Sequence, residues 1–205
     1  AGGRMIHIIG AGPAGLLLAH LLHRAGIESV VLESRDRDYV EHRVRAGVLE
    51  QGAVDVLTDA GVADRLHREG MRHHGIELRF GGQGHRIDFA ELTPGRSIVV
   101  YGQQEGVKDL IKARLAYQGP LLFEVGDVAV RDIDTRAPKI RFTHDGESVE
   151  LACDVVAGCD GFHGICRQAI PATVLSVFER VYPFAWLGIL AKAPPTHDEL
   201  IYAYH

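Results

Sequence analysis

Three glycines and an acid near the N-terminus carry the first signal of chemistry. Gly10, Gly12 and Gly15 lie in Gly10-Ala-Gly-Pro-Ala-Gly15, directly after the apolar run Met5–Ile9. At this spacing the first glycine permits a tight turn, the second lets the backbone approach a pyrophosphate, and the third lets a helix pack close to a strand. A helix that starts there offers free N–H groups and a positive dipole end to phosphate. Glu33 ends the next apolar run, Val30-Val-Leu-Glu33, close to the offset of roughly 20 residues at which an acid binds a ribose. Taken alone the glycines would fit any structural turn. With strand, helix, strand and acid in sequence they specify a dinucleotide site.

A second cluster is Ala157-Gly-Cys-Asp160-Gly161-Phe-His163-Gly-Ile-Cys-Arg167. An apolar strand runs into Asp-Gly and then into a helix start that carries His and Arg. Asp160 can cap that helix or bind a ribityl hydroxyl near a pyrophosphate, and Arg167 can meet a phosphate. Read by itself, the cluster fits an ordinary capped helix in a loop.

Elements must hold these groups in place. Met5–Ile9 and Ser29–Glu33 read as buried parallel strands, joined by a crossover helix over Pro13–Ala25 that Gly26 stops. A second helix spans Leu49–Ala60 and ends at Gly61, and Ala63–Glu69 is a short amphipathic turn or helix. Gly75–Phe80 and Arg86–Phe89 alternate around Gly81-Gly-Gln-Gly84 as a hairpin. Ser97–Tyr101 is a strand and Gln104–Tyr117 a helix. Strands follow at Leu121–Val125, Val128–Ile133, Lys139–Phe142 and Val149–Leu151, with a turn at Asp145-Gly146. Asp154–Gly158 is a short strand and Phe162–Ala169 a short helix. Val177–Ala191 is strand-like and hydrophobic, and such a run needs partners. The fold class is therefore α/β with a mixed α+β portion: a Rossmann-like dinucleotide-binding βαβ domain over residues 5–175, with an inserted hairpin at about 72–100. Residues 176–205 begin a further β-rich, sheet-forming portion. Residues 1–4 read as a leader.

Composition narrows the function classes. The 205 residues are 46% hydrophobic and 24% charged with a net charge of −5, which is ordinary for a soluble globular protein. Lys and Arg are scattered, so no nucleic-acid partner is expected. The apolar run Ile6–Leu22 is too short and too broken by Gly and Pro for a membrane span, and a cytoplasmic protein is expected. Three cysteines, Cys153, Cys159 and Cys166, are an odd number and argue against a disulfide framework. None has Cys-x-x-Cys spacing, and no metal site is expected.

The chain resembles the class A flavoprotein aromatic hydroxylases. The matching stretches are Ile8–Leu18, Arg43–Gly52, Val100–Gln103, Ala157–Gly164 and Val177–Phe184, in order and spread over the chain after residue 4. The first and fourth mark the family at large. The second and last point to its branch acting on 4-hydroxybenzoate. The resemblance makes residues 5–175 a Rossmann-like FAD-binding domain and residues 176–205 the start of a β-sheet substrate-binding domain. It implies FAD, NADPH (or NADH) as reductant, O2, a small aromatic acid as substrate and hydroxylation ortho to the phenol oxygen to give 3,4-dihydroxybenzoate. The cofactor carries the hard chemistry and the protein supplies position and electrostatics.

Carried over by residue, the resemblance puts Gly10, Gly12 and Gly15 at the pyrophosphate and Glu33 at the adenosine ribose. Arg45 neutralises flavin phosphate, Gln103 bonds FAD, and Asp160 lies near the diphosphate and ribityl chain. His163 and Arg167, with Arg43, serve the pyridine nucleotide. The stretch Ser34–Glu41 tunes nicotinamide choice; here Arg35, Arg37 and Tyr39 suit a 2′-phosphate, while Asp36 and Asp38 oppose it. Tyr202 bonds the substrate phenol oxygen and His73 forms the solvent end of the same proton relay, roles that suit a phenol and an imidazole. The resemblance also implies a homodimer in the full-length form. The family continues for about as long again past His205, so the chain reads as an N-terminal part that is not a competent hydroxylase alone. Two other readings share the glycine turn: an NAD(P)-dependent dehydrogenase, and a non-catalytic nucleotide-binding module.

Overall fold

The computed structural model describes residues 5–189 and 191–205. The elements in chain order are β1 (Met5–Ile9), α1 (Pro13–Arg24), β2 (Glu28–Leu32), α2 (Arg37–His42), β3 (Val48–Glu50), α3 (Gln51–Asp59), α4 (Asp64–Glu69), β4 (Met71–His73), β5 (Gly75–Phe80), β6 (Gln83–Asp88), α5 (Phe89–Leu92), β7 (Ile98–Val100), α6 (Gln103–Ala116), β8 (Leu121–Leu122), β9 (Gly126–Arg131), β10 (Lys139–His144), β11 (Glu147–Ala152), β12 (Val155–Gly158) and β13 (Leu200–Ala203). They form two compact units. In one, the chain up to Met71 combines with Val99–Ala169; in the other, Arg72–Ile98 combines with Ile170–His205.

The first unit is built on a parallel sheet of order β12-β1-β2-β8. β1 and β2 run parallel, with Ile8 opposite Val31, so α1 must cross over one face to join them. Pro13 starts α1, where its missing N–H matters least, and Gly15, Leu16 and Ala19 form the buried face. That face meets α6, whose Val107, Leu110 and Ile111 are spaced for one side of a helix. With Ile8, Ala11 and Val31 these residues make one core cluster. A second cluster, which includes Ile9, Leu32, Ile140 and Phe142, seals the other sheet face with the antiparallel sheet β11-β10-β9. The β10–β11 hairpin closes at Asp145 (φ 51°) and Gly146 (φ 79°), the positive pair that a two-residue type I′ turn requires.

Arg114 shares the apolar face of α6 yet is only 3% exposed. Among the described residues it pairs with no carboxylate. Its Nη2 donates to the carbonyls of Ser29 (2.5 Å) and Pro120 (2.9 Å), and its Nη1 to the Ser29 hydroxyl at 3.2 Å. It straps the start of β2 to the loop before β8.

In the second unit β5 and β6 form a hairpin with Phe80 opposite Gln83, and β13 joins it parallel to β5.

Three sequence expectations need correction. Val177–Ala191 forms no strand among its described residues, and Phe178 (92%) and Trp186 (96%) lie in solvent. Apolar composition favours a strand only where a neighbour accepts its backbone hydrogen bonds. Phe162–Ala169 is a series of turns ending in a 3-10 turn at Arg167–Ala169; the Cys166 N–H that a helix would direct to the Phe162 carbonyl donates to the Asp160 carboxylate instead. The expected strand at Leu121–Val125 shortens to Leu121–Leu122.

Candidate functional site

The glycine turn lies at the carboxyl ends of β1 and β2, the edge at which open α/β sheets bind ligands. Gly10 takes φ +108°, and a Cβ there would overlap the Cys159 carbonyl. The turn is thus packed directly onto the segment that leads to Asp160, and Cys159 N–H donates to the Ile9 carbonyl at 2.8 Å. A Cβ on Gly15 would strike the Gly10 carbonyl oxygen and approach Ile8 Cγ2 to 3.1 Å. Gly12 differs from both. Its φ of −78° and ψ of −178° suit any residue, and nothing lies within 4 Å of a Cβ built on it. The missing methyl leaves open space at the N-cap of α1. No side chain caps that helix and no acid sits in its first turn, so its orphan N–H groups stay available. This cradle fits a pyrophosphate.

Glu33 closes one side of the turn. Its Oε2 accepts from Ala11 N–H at 2.8 Å and its Oε1 from Arg35 N–H at 2.9 Å. Two oxygens carry about four lone-pair sites, so the carboxylate can hold the turn and still accept from a ribose. Asp160 organises the other side. Its Oδ2 accepts from Cys166 N–H at 3.0 Å, and Gly164 packs so closely on its carboxyl that a Cβ would overlap it. Burial, then the hydrogen bond to Asp160, pushes the Cys166 thiol up to about 12, which leaves it inert at neutral pH. His163 stands edge-on to Phe162 at 4.9 Å, and the Arg167 guanidinium lies 4.5 Å over the same ring.

A second meeting point joins Arg43, Arg45 and Gln103. Gly47 accepts from Tyr101 N–H at 2.7 Å, and a Cβ on Gly47 would come within 2.9 Å of Gly102 Cα. The segment carrying Arg43 and Arg45 therefore runs beside the start of α6, where Gly102 is the N-cap and Gln103 the first helical residue. Arg45 is exposed. Arg43 and Arg35 both lie over the Tyr39 ring, at 5.5 and 5.0 Å. The two acids that opposed a 2′-phosphate have local uses: Asp36 caps α2 through Tyr39 N–H at 2.7 Å, and Asp38 pairs with His42 at 3.1 Å. Arg37 is paired with Glu41 at 2.7 Å, leaving Arg35 the less committed cation of the stretch.

The sequence reading missed the clamp behind Gln103. Arg65 donates from Nε to Asp109 (2.8 Å), from Nη1 to Glu105 Oε2 (2.5 Å) and from Nη2 to the Glu105 carbonyl (2.7 Å). Tyr101 OH donates to the other Asp109 oxygen at 2.7 Å. Burial, then the bond to Asp109, raises the Tyr101 pKa. The Lys108 and Arg65 hydrogen bonds hold the Glu105 carboxyl below its usual range. Arg65 thereby grips the first turns of α6. Its partners are some 40 residues away in the chain, so no local pattern could have revealed it.

His73 and Tyr202 belong to the second unit. His73 is 5% exposed, and its Nδ1 accepts from Leu200 N–H at 3.2 Å. Tyr202 lies two residues further along β13, opposite Leu78, with 54% of its surface exposed. The structure thus brings His73 to the strand that carries Tyr202. Among the described residues no group of His, Cys, Asp and Glu could hold a metal ion, and no helix is long and apolar enough to cross a membrane.

Comparison with known proteins accords with this geometry. Residues 4–205 match the family described as FAD binding domain. A p-hydroxybenzoate hydroxylase from Acinetobacter baylyi is 49% identical over 96% of this chain and 48% of its own length. A 3-amino-4-hydroxybenzoate 2-monooxygenase from Streptomyces cremeus is 30% identical over 80% of the chain and 41% of its own length. Among solved structures, a probable FAD-dependent monooxygenase from Pseudomonas aeruginosa shares the fold with a TM-score of 0.73 at 24% identity, covering 89% of this chain and 48% of that one. The chain spans about half the length of the curated relatives it matches. These findings support the flavin monooxygenase reading over the dehydrogenase. The chain belongs to the FAD binding domain family.

Proposed function

We propose that this chain is the FAD-holding portion of an aromatic hydroxylase that converts 4-hydroxybenzoate, O2 and NADPH to 3,4-dihydroxybenzoate. One observation carries the reading: the open space at Gly12, over an uncapped helix N-terminus, flanked by Glu33 and the Asp160 turn. The 49% identity to a p-hydroxybenzoate hydroxylase supports the substrate.

In this reading the amides of the Gly10–Gly15 turn and of the first turn of α1 bind the diphosphate, Glu33 accepts from the ribose, and Asp160 faces the diphosphate end of the ribityl chain. Arg45 supplies positive charge to the phosphate, and Gln103 fixes FAD from the start of α6. When bound, FAD supplies the hydride acceptance and oxygen chemistry. Arg43, His163 and Arg167 receive the nicotinamide nucleotide, and Arg35 favours its 2′-phosphate. Tyr202 accepts a hydrogen bond from the substrate phenol and relays the proton, passing its own hydroxyl proton on as it takes the substrate's; the phenol is left ionised and its ring more nucleophilic, and His73 passes a proton on toward solvent. The full enzyme is a cytoplasmic homodimer.

The test is a titration of the purified chain with FAD, followed by assay of 4-hydroxybenzoate-dependent oxidation of NADPH against NADH in an enzyme containing this sequence. Flavin binding with formation of 3,4-dihydroxybenzoate, faster with NADPH, is expected. Binding of NADPH without any flavin would return the chain to the dehydrogenase reading.

A further inference from the structure

Beyond the pairing of β13 with β5, the hairpin β5–β6 and the start of β13 are tied by one carboxylate. Glu199, immediately before β13, is mostly buried. Its Oε1 accepts from His74 N–H at 3.0 Å and from Arg86 Nη2 at 3.1 Å, while its Oε2 accepts from Arg86 Nε at 2.8 Å. Arg86 is itself held by Asp88, to which Nη1 donates at 2.6 Å. Such two-point pairing between guanidinium and carboxylate fixes orientation as well as distance. The residues on either side of this contact are His73 and Leu200, and they too are joined: His73 Nδ1 accepts from Leu200 N–H at 3.2 Å.

That bond decides the chemistry of the ring. A backbone N–H can only donate, so Nδ1 must present its lone pair and the neutral imidazole carries its proton on Nε2. Nε2 is not among the sealed, unpartnered buried nitrogens of the described residues, which are His7 Nδ1, His20 Nδ1 and Arg114 Nε.

We propose that Glu199 is a positioning residue: with Arg86 it clasps the start of β13 onto the hairpin, sets Leu200 N–H against His73, and so fixes His73 as the Nε2–H tautomer. The inference deepens the relay reading of His73 and Tyr202 and rests on it for its catalytic meaning. Its consequence is specific. The ring can give a proton from Nε2, but it can take one only at Nδ1, after Leu200 N–H has moved away. Passing one proton therefore means that Nδ1 gains a proton, Nε2 loses one, and the ring ends neutral in the other tautomer. Because Tyr202 rides the same strand, on the same face as Leu200, a shift of β13 that frees Nδ1 also moves the phenol.

Long-range 1H–15N correlation spectra of the 15N-labelled chain report the tautomer of each imidazole, and the His73 signals are identified by their loss in His73→Gln. In the parent chain His73 is expected in the Nε2–H form. Glu199→Gln and Arg86→Gln each remove the charge pair, and each is expected to shift His73 to an averaged mixture of tautomers while the histidines of the first unit and the far-UV circular dichroism stay unchanged. The exchanged pair R86E with E199R is expected to restore the parent pattern. A parent His73 in the Nδ1–H form overturns the proposal, as does an unchanged tautomer in a folded single variant. Should one single variant misfold, the other and the exchanged pair decide. Since these spectra need neither flavin nor turnover, a chain that fails to bind FAD would defeat the functional reading and leave this result standing.

Discussion

Two glycines in one turn make opposite predictions because their surroundings differ. Gly10 is confined by its φ of +108° and by the Cys159 carbonyl. Gly10→Ala is expected to destabilise the chain by roughly 1–3 kcal/mol, the range for a residue forced into a disfavoured backbone region, as read by urea unfolding. Gly12 has ordinary dihedrals and open space. Gly12→Ala is expected to leave stability within about 0.5 kcal/mol while weakening FAD binding by about tenfold, or ~1.4 kcal/mol, because the new methyl occupies the approach of the pyrophosphate. Equal losses of stability in the two variants would contradict the distinction. The glycine spacing and Glu33 were legible in the sequence because a dinucleotide turn is short and its parts lie near one another in the chain. The same spacing could not show that Glu33 also holds Ala11 N–H, since which donors a carboxylate meets depends on how the turn closes.

At the scale of elements, one half-buried cation and one buried imidazole show where stability is concentrated. Arg65→Ala removes the side chain that ties Glu105 and Asp109 together and is expected to cost about 2 kcal/mol, the order of a lost charged hydrogen-bond set. It should also weaken FAD binding, because α6 begins at Gln103. His7, in the middle of β1, is buried with an unpartnered Nδ1, and burial lowers its pKa. The unfolded chain then binds a proton that the folded chain resists. Stability from this group is full above the unfolded value of about 6.5 and is lost as pH falls below it toward the lowered folded value. Thermal unfolding is expected to weaken from neutral pH to mildly acidic pH in the parent and less so in His7→Leu. A parent profile that is flat, or that matches the variant's, would refute the assignment. The parallel strands and α1 were legible from apolar runs and glycine stops. The Arg65 and Glu199 contacts were not, because they join residues far apart in the chain.

Over the whole molecule, the largest departure from the sequence reading is the run from Val177 to Ile189. Apart from Glu179 and Arg180 it is largely apolar, yet Val181, Phe184, Trp186 and Leu187 face solvent. Exposed apolar stretches of this kind mark surfaces that another chain or segment covers. Trp186 is the sole tryptophan of the sequence, so its fluorescence reports this stretch alone. Water-like emission that a soluble quencher suppresses is expected of the monomeric chain, and shielded emission would contradict the placement. The central claim concerns the cradle in the other unit, and equilibrium titration of the purified chain with FAD, with Gly12→Ala alongside, tests it most directly. Saturable flavin binding by the parent and clearly weaker binding by the equally stable variant are predicted. Absence of flavin binding by the folded parent, or equal binding by both chains, would contradict the account.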